Sequence, residues 1–480
     1  MTGDVRLGNG WGNVAVAVLA TGALLPFGCG GLPGVPLANE STIPVGTDRF
    51  ELVARFVHIS DAQIVDEESP GRLTAAAAFA TTAWRPHEAY ATQLLDGMIR
   101  AINKQHVAVH TIDFVVHTGD ALDNAQLNEL EWFVSVFDGG TIDPSSGGDD
   151  RSSDELPDAS MDPHHSFEAQ GLYRRGVHGE EPTIPWYSVF GNHDRFAAGV
   201  FPIVSNLFGS RRAPLPLGNR IGLFLPVNLD PTGSLSWGPI TPANPGPPPL
   251  INFPTLVSPN AARRFITDRD FVNAHVASVG APKGHGFDPR RPDRTWYTAV
   301  PVAGVRLITL NTSDPAKTKP GLVYSEGAVS LAQLFFLAGE LKSAEERGEI
   351  VIVATHHPSD TFAATYGSAL MPNTFREALR RSPNVKLHIA GHSHRNAVTD
   401  RGGYVEVETC SILDAPQQGR VIEIWRDGAD VELRYWMFSH LDDFDPPTEK
   451  RSPLFDDPLR PMREVAAGLA EEHRSSGSIP

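Results

Sequence analysis

The chain has 480 residues, with 40 Lys and Arg against 57 Asp and Glu and a formal net charge of −17. That balance speaks against a general nucleic-acid binder, which carries a basic face, but not against an anionic substrate, because bound cations can reverse the sign locally. The two cysteines, Cys29 and Cys410, exclude a disulfide framework and a cysteine-based zinc site, and 41% hydrophobic with 20% charged residues is an ordinary globular composition.

Residues 1–29 read as a leader. Val14 to Leu25 is an apolar run of signal-peptide length, too short for a comfortable membrane span. Gly28-Cys29-Gly30-Gly31 follows, and the arrangement resembles a bacterial lipoprotein signal whose Cys is lipidated after cleavage. Asp4 beside Arg6, and Pro26 and Phe27 before the Cys, depart from that pattern. The expected location is the cell envelope, periplasmic or tethered to the membrane through Cys29; a disordered apolar arm is the alternative. Residues 30–47, with several Gly and Pro, read as a flexible linker.

A globular domain is predicted over 48–440. Phe50 to Asp61 ends in a buried strand. Residues 88–105 place Leu94, Leu95, Met98, Ile99 and Ile102 at helical spacing. Ile112 to Thr118 is a second strand, closed by Gly119-Asp120, and 125–137 a second helix. Trp186 to Phe190, aromatic and β-branched, is a third strand that stops at Gly191-Asn192-His193-Asp194. This alternation predicts a parallel, layered α/β sheet. Two insertions, about 138–183 and 196–294, are too long for simple connections and read as lid or substrate-binding loops, with plain surface elaboration as the alternative. Paired strands are predicted at 296–300 and 305–310, and a helix at 329–346. Ile350 to Thr355 is a buried strand ending at His356-His357-Pro358, and Val385 to Ala390 another ending at Gly391-His392-Ser393-His394. Strands near 403–408, 419–426 and 430–438 follow. Residues 441–480, with a charged helical stretch near 462–473, read as a peripheral C-terminal tail.

Five predicted strands thus end in residues with metal-binding or proton-transfer chemistry: Asp61-Ala62-Gln63, Gly119-Asp120, Gly191-Asn192-His193-Asp194, His356-His357-Pro358 and Gly391-His392-Ser393-His394. An Asp after a strand is by itself a common cap. Five such blocks at strand C-termini, where open α/β sheets place their sites, point to a shared centre.

The order of these blocks resembles the calcineurin-like metallophosphoesterase superfamily over roughly residues 50–440. The resemblance implies a four-layer α/β/β/α sandwich with two long loop insertions, holding two divalent or trivalent metal ions, with Mn, Fe or Zn expected. One ion would be held by Asp61, Gln63, Asp120 and His394, the other by Asp120, Asn192, His356 and His392, with Asp120 bridging. Such carboxylate, amide and imidazole donors suit two bridged cations. The implied activity is hydrolysis of a phosphate monoester or diester by a metal-bound hydroxide, on a small phosphorylated substrate; no nucleic acid or protein partner is inferred. His193 would contact a phosphoryl oxygen or protonate the leaving alkoxide. Asp194 would orient that imidazole or cap the loop. His357 reads as a residue supporting the ligands from behind or as a packed neutral imidazole, His58 as structural, and Cys410 as an inert buried thiol. Arg174, Arg175, Arg195, Arg211 and Arg212 are candidates for the cationic seat that a monoester's extra charge needs.

Gln63 is the departure, since the superfamily usually has His there and an amide oxygen is a weaker ligand. Asp66 could compensate, or cap a turn or bind an arginine. Asp66 to Pro70, Arg85 to Glu88, Glu408 to Ser411 and Pro416 to Arg420 resemble a bacterial branch of the superfamily with Gln in the first motif. The alternative function is a catalytically weak or inactive metal-binding, envelope-anchored interaction protein, which Gln63 favours and Asn192 and His193 disfavour.

Overall fold

The computed structural model describes residues 3–7, 15–17, 49–72, 84–147, 161–205, 211–214, 228–229, 231–236, 255–313, 326–362, 372–444 and 453–475. The first half of the chain contributes β1 (Gly3–Leu7), β2 (Ala15–Ala17), β3 (Glu51–Ile59), α1 (Ala91–Ala108), β4 (Phe114–His117), α2 (Leu127–Asp138) and β5 (Trp186–Ser188). The second half contributes α3 (Asp268–Ala277), β6 (Thr298–Val302), β7 (Val305–Thr309), α4 (Leu331–Arg347), β8 (Ile350–Ala354), α5 (Pro372–Arg380), β9 (Val385–Ala390), β10 (Ala397–Asp400), β11 (Val405–Glu408), β12 (Gln418–Asp427), β13 (Asp430–Ser439) and α6 (Arg460–Ser475).

Among the described residues two large sheets result, ordered β2-β1-β13-β12-β3-β4-β5 and β6-β7-β8-β9-β11-β10, beside three small ones of two or three short strands. In the first, β3, β4 and β5 are parallel; in the second, β7, β8, β9 and β11 are. The strand period of two explains the layering. Ile350, Ile352 and Ala354 of β8 join Phe56, Val115 and Ile422 in a core between the sheets. Val351 and Val353 face the other way, into a second core with Leu337 and Leu341 of α4 and Phe375 and Leu379 of α5. A strand buried on both faces reads as a continuous apolar run, which is what Ile-Val-Ile-Val-Ala is. Leu94, Met98 and Ile102 of α1 belong to the first core on the opposite side. The result is the expected α/β/β/α arrangement.

The ends of the parallel strands are laced together beyond the ladders. The Asp61 N–H donates to the Gly119 carbonyl at 3.0 Å, Gln63 N–H to Asp120 at 2.9 Å, and Gly391 N–H to His356 at 2.9 Å. Four of the five strand-end loops, two from each sheet, are thus tied together in pairs.

Four features differ from the sequence reading. The second insertion is not wholly loop. Its stretch 239–254 lies outside the described residues, but α3 begins at a capping box in which Thr267 and Asp270 satisfy each other's N–H groups. Phe271 of α3 is fully buried and meets Phe190 edge-to-face at 4.8 Å, and His285 stacks on Trp186 at 3.7 Å. This part is core under β5, not a lid. Helix α5 and edge strand β10 were not foreseen. The C-terminal segment is not peripheral throughout: Met462, Ala466 and Ala470 of α6 are buried, and Arg463 packs on Gly97 of α1, where a Cβ would collide with its guanidinium. In the segment read as a leader, β1 pairs antiparallel with β13, while Cys29 lies outside the described residues. Among the described residues no helix is long and apolar enough to cross a membrane.

If residues 261–287 are core, Phe271→Ala should lower stability by about 3–5 kcal/mol, read by chemical denaturation. A surface elaboration would lose no more than about 0.5 kcal/mol.

Candidate metal centre

Backbone strain marks the strand-end loops. Asp61, Gln63, Asp120, His392 and His394 have φ of 53°, 41°, 53°, 65° and 52°. Left-handed backbone costs a non-glycine residue on the order of 1–3 kcal/mol and persists where the surroundings over-determine it; Asp and His tolerate it better than most. The motif glycines serve close approach. A Cβ on Gly191 would collide with the Asp120 carboxylate, and one on Gly391 with the Ser60 hydroxyl and the Asp61 carboxylate.

Side chains from both sheets converge here. Asp61 Oδ1 lies 3.2 Å from His394 Nε2, and Asp61 Oδ2 accepts from the His392 N–H at 3.0 Å. Asp120 Oδ2 lies 3.1 Å from His356 Nε2, and its Oδ1 accepts from the His193 N–H at 2.8 Å. Asn192 Oδ1 is 3.1 Å from His392 Nδ1, while its Nδ2 donates to the Gly199 carbonyl at 2.9 Å. His356 Nδ1 donates to the Thr118 carbonyl at 2.9 Å, and His394 Nδ1 to Asp414 at 2.6 Å. Both rings thus turn Nε2 toward a carboxylate, the orientation that an outer hydrogen bond gives a metal-ligating histidine.

The donor set fits a cation. Asp61 Oδ1 and His356 Nε2 are buried and make no well-aligned hydrogen bond, although each faces an opposite charge at 3.2 Å and 3.1 Å, a state that asks for an explanation such as an ion. Donor atoms of Asp61, Asp120 and His356 lie within 4.8 Å of one another, as do those of His356, His357 and His392. His357 thus lies beside the candidate ligands His356 and His392, and its Nδ1 sits 2.7 Å from the Thr312 hydroxyl.

Electrostatics agree. Burial would raise Asp61, but His394 and His356 outweigh it and hold the carboxyl well below the usual range; His356 and His193 likewise lower Asp120 against its burial. Burial works to lower His356, yet Asp120 and Asp61 raise it to about 9; Asp61 and Asp414 raise His394 to about 10 in the same way. Burial and the nearby His356 lower His392 to about 3. Protons on two imidazoles thus supply the positive charge that a cation would otherwise bring, and metal loading would release them.

Two residues that sequence reasoning did not assign belong here. Arg85 donates from Nη2 to Gln63 Oε1 at 2.7 Å and from Nε to Asp414 Oδ1 at 2.7 Å. Asp414 in turn holds His394. Arg85 lies in a stretch singled out only for its resemblance, and Asp414 in the unremarked gap between two others.

The orienting role expected of Asp194 falls elsewhere. His193 Nδ1 donates to the Asp123 carbonyl at 2.7 Å. Asp194 instead accepts from the Gly191 N–H at 2.7 Å and the Leu122 N–H at 3.1 Å, and burial together with Asp120 raises it to about 7. Its short side chain ties its own loop to the one that follows β4, so the capping alternative describes it better than the orienting one. Asp66 binds Arg263 at 3.1 Å and caps a turn through Glu68 N–H. His58 is buried between the Thr118 and Thr409 hydroxyls, and burial pushes the Cys410 thiol up to about 11. Of the candidate phosphate arginines, Arg174 bonds the Asp138 carbonyl, Arg195 pairs with Asp268 and Arg211 bonds the Ile266 carbonyl, while Arg175 is exposed, with an exposed Glu180 at 3.5 Å. The Arg212 side chain lies outside the described residues.

Gly191→Ala should yield a folded protein with less bound metal than wild type by elemental analysis, because the methyl group displaces Asp120. Gly339→Ala, where a Cβ meets nothing, should keep the wild-type content.

No curated protein matches the sequence. Among solved structures, a dimetal phosphatase from Danio rerio is 13% identical, with a TM-score of 0.42, over 80% of this chain and 99% of that one. A Staphylococcus aureus protein described as a 5′-nucleotidase, in complex with alpha-ketoglutarate, is 12% identical, with a TM-score of 0.33, over 86% of this chain and 58% of that one. The sequence model of the calcineurin-like phosphoesterases matches residues 54–396, which takes in every strand-end block described above. With that match spanning most of its length and its sheets stacked in the corresponding sandwich, the chain belongs to the calcineurin-like phosphoesterase family.

Proposed function

We propose that this protein hydrolyses small phosphate esters, monoester or diester, at a two-metal centre (Mn, Fe or Zn) held by Asp61, Gln63, Asp120, Asn192, His356, His392 and His394. The observation that carries this reading is the buried meeting of Asp61, Asp120 and His356, with donor atoms within 4.8 Å of each other and two of them, Asp61 Oδ1 and His356 Nε2, buried without a well-aligned hydrogen bond.

Two bound cations would stabilise charge on the phosphoryl oxygens and activate a water. The chain's own residues do the rest. Asp61 and Asp120 bring two negative charges, too few to neutralise two dications, so the loaded pocket would remain cationic inside an acidic protein and draw in a phosphate. Thr118 and Asp414 fix the ring orientations of His356 and His394, and Gly199 fixes the Asn192 amide. The Asp123 carbonyl holds His193 Nδ1, which leaves Nε2 as the nitrogen able to pass a proton to a departing alkoxide.

The second reading, a metal-binding interaction protein of weak activity, is favoured by one observation: the Gln63 oxygen already accepts from Arg85. We also infer export and a lipid tether at Cys29, supported by the apolar run before it and opposed by the pairing of β1 with β13, which cleavage before Cys29 would remove. Cys29→Ser should then move the protein from the membrane to the soluble fraction of its native cells.

Turnover of p-nitrophenyl phosphate or bis-p-nitrophenyl phosphate should require added manganese, and Asp120→Asn should lose both metal and turnover. Absence of turnover of either at full metal occupancy would refute the hydrolase. His193→Gln should lower kcat on an alkyl phosphate by about 10²–10⁴-fold with metal content unchanged. It should cost far less on the p-nitrophenyl ester, whose leaving group needs no proton.

A further inference from the structure

The guanidinium of Arg85 is buried beside the centre, with Arg85 1% exposed, so its donors must find acceptors inside the protein. They find three: Gln63 Oε1 at 2.7 Å, Asp414 Oδ1 at 2.7 Å and Asp123 Oδ1 at 3.4 Å. Each acceptor belongs to a residue that touches the site. Gln63 is a candidate ligand, Asp414 holds the His394 ring, and the Asp123 carbonyl holds the His193 ring. Arg85 is anchored in turn by its own N–H, which donates to Glu88 at 2.9 Å. The backbone that carries Gln63 is pinned as well, since its N–H is bonded to the Asp120 carbonyl.

We propose that Arg85 is a positioning residue matched to Gln63: the amide oxygen serves Arg85 with one lone pair and a cation with the other, so histidine cannot replace Gln63 while Arg85 is present. The argument is a count of lone pairs. A guanidinium is donor-only, and an amide oxygen has two lone pairs. A neutral imidazole has one acceptor nitrogen and one N–H. Beside Arg85 that single lone pair goes either to the guanidinium, leaving nothing for a metal, or to the metal, leaving a buried N–H of Arg85 without an acceptor. Imidazole is the commoner metal ligand in general, yet at this position it is the poorer one. A carboxylate would meet both demands.

The inference rests on the proposed metal centre, and the test separates the two. Wild type, Gln63→His, Gln63→Glu and Gln63→His/Arg85→Met are stripped of metal and titrated with Co²⁺, following the visible spectrum, with Mn²⁺ equivalents counted by elemental analysis. Wild type should take up two equivalents. Gln63→His should bind the weaker equivalent at least about tenfold less tightly, the usual scale for losing a partner of a metal ligand. Gln63→Glu should keep both, and the double variant should regain what Gln63→His lost. If Gln63→His binds both equivalents as tightly as wild type, or if the histidine and glutamate variants lose affinity alike, the pairing is overturned. Should the double variant fail to fold by circular dichroism, the comparison of these two single variants, both with Arg85 intact, decides the matter. A wild type that binds no Co²⁺ or Mn²⁺ would instead sink the metal centre itself.

Discussion

Two buried carboxylates set the terms for this structure. Asp61 and Asp120 sit at the ends of adjacent parallel strands with essentially no exposure, and burying a charge without compensation is prohibitive. The surrounding residues answer that demand. His394 and His356 face them, backbone N–H groups of His392 and His193 donate to them, and glycines at 191 and 391 let the neighbouring loops come close enough to do so. A centre able to bind cations is what results when two anions are held together and incompletely satisfied by the protein alone.

Holding them has a structural cost, visible in the left-handed backbone of five candidate ligands. At on the order of 1–3 kcal/mol each, that strain is comparable with the whole net stability of a typical domain, about 5–15 kcal/mol. It can persist only because the loops are short extensions of strands fixed on both faces. The core between the sheets and the second core under α4 and α5 set where those strands end, and the hydrogen bonds from Asp61, Gln63 and Gly391 to neighbouring loops lock the ends in register. Rigid sheets thus store the distortion that aims the side chains.

Around the carboxylates lies a second tier of charge. The chain Gln63–Arg85–Asp414–His394 runs from one candidate ligand to another through two buried ions of opposite sign. Removing any member would leave a charge or a donor stranded in low dielectric, so these residues act as a unit. Asp194 and Asp123 divide their work in a related way. One closes the loop that carries Asn192 and His193, and the other holds the imidazole.

The sequence by itself determined the parallel strands that carry the site, the layered class of fold and the blocks of polar residues at the strand ends. Those signals are local: an apolar run such as Ile350 to Ala354, a glycine, then ligand-type side chains within a few residues. It did not reveal α3 or the docking of α6, because the Thr267–Asp270 cap and the small buried face of Ala466 and Ala470 are weak patterns until a partner surface exists. Nor did it reveal that Arg85 meets Asp414, 329 positions away, or that Asp123 rather than Asp194 reaches His193. Only the tertiary structure decided these pairings, because periodicity encodes which face of an element is buried, whereas the partner of a buried charge is chosen by whichever strand ends the fold brings within 3 Å.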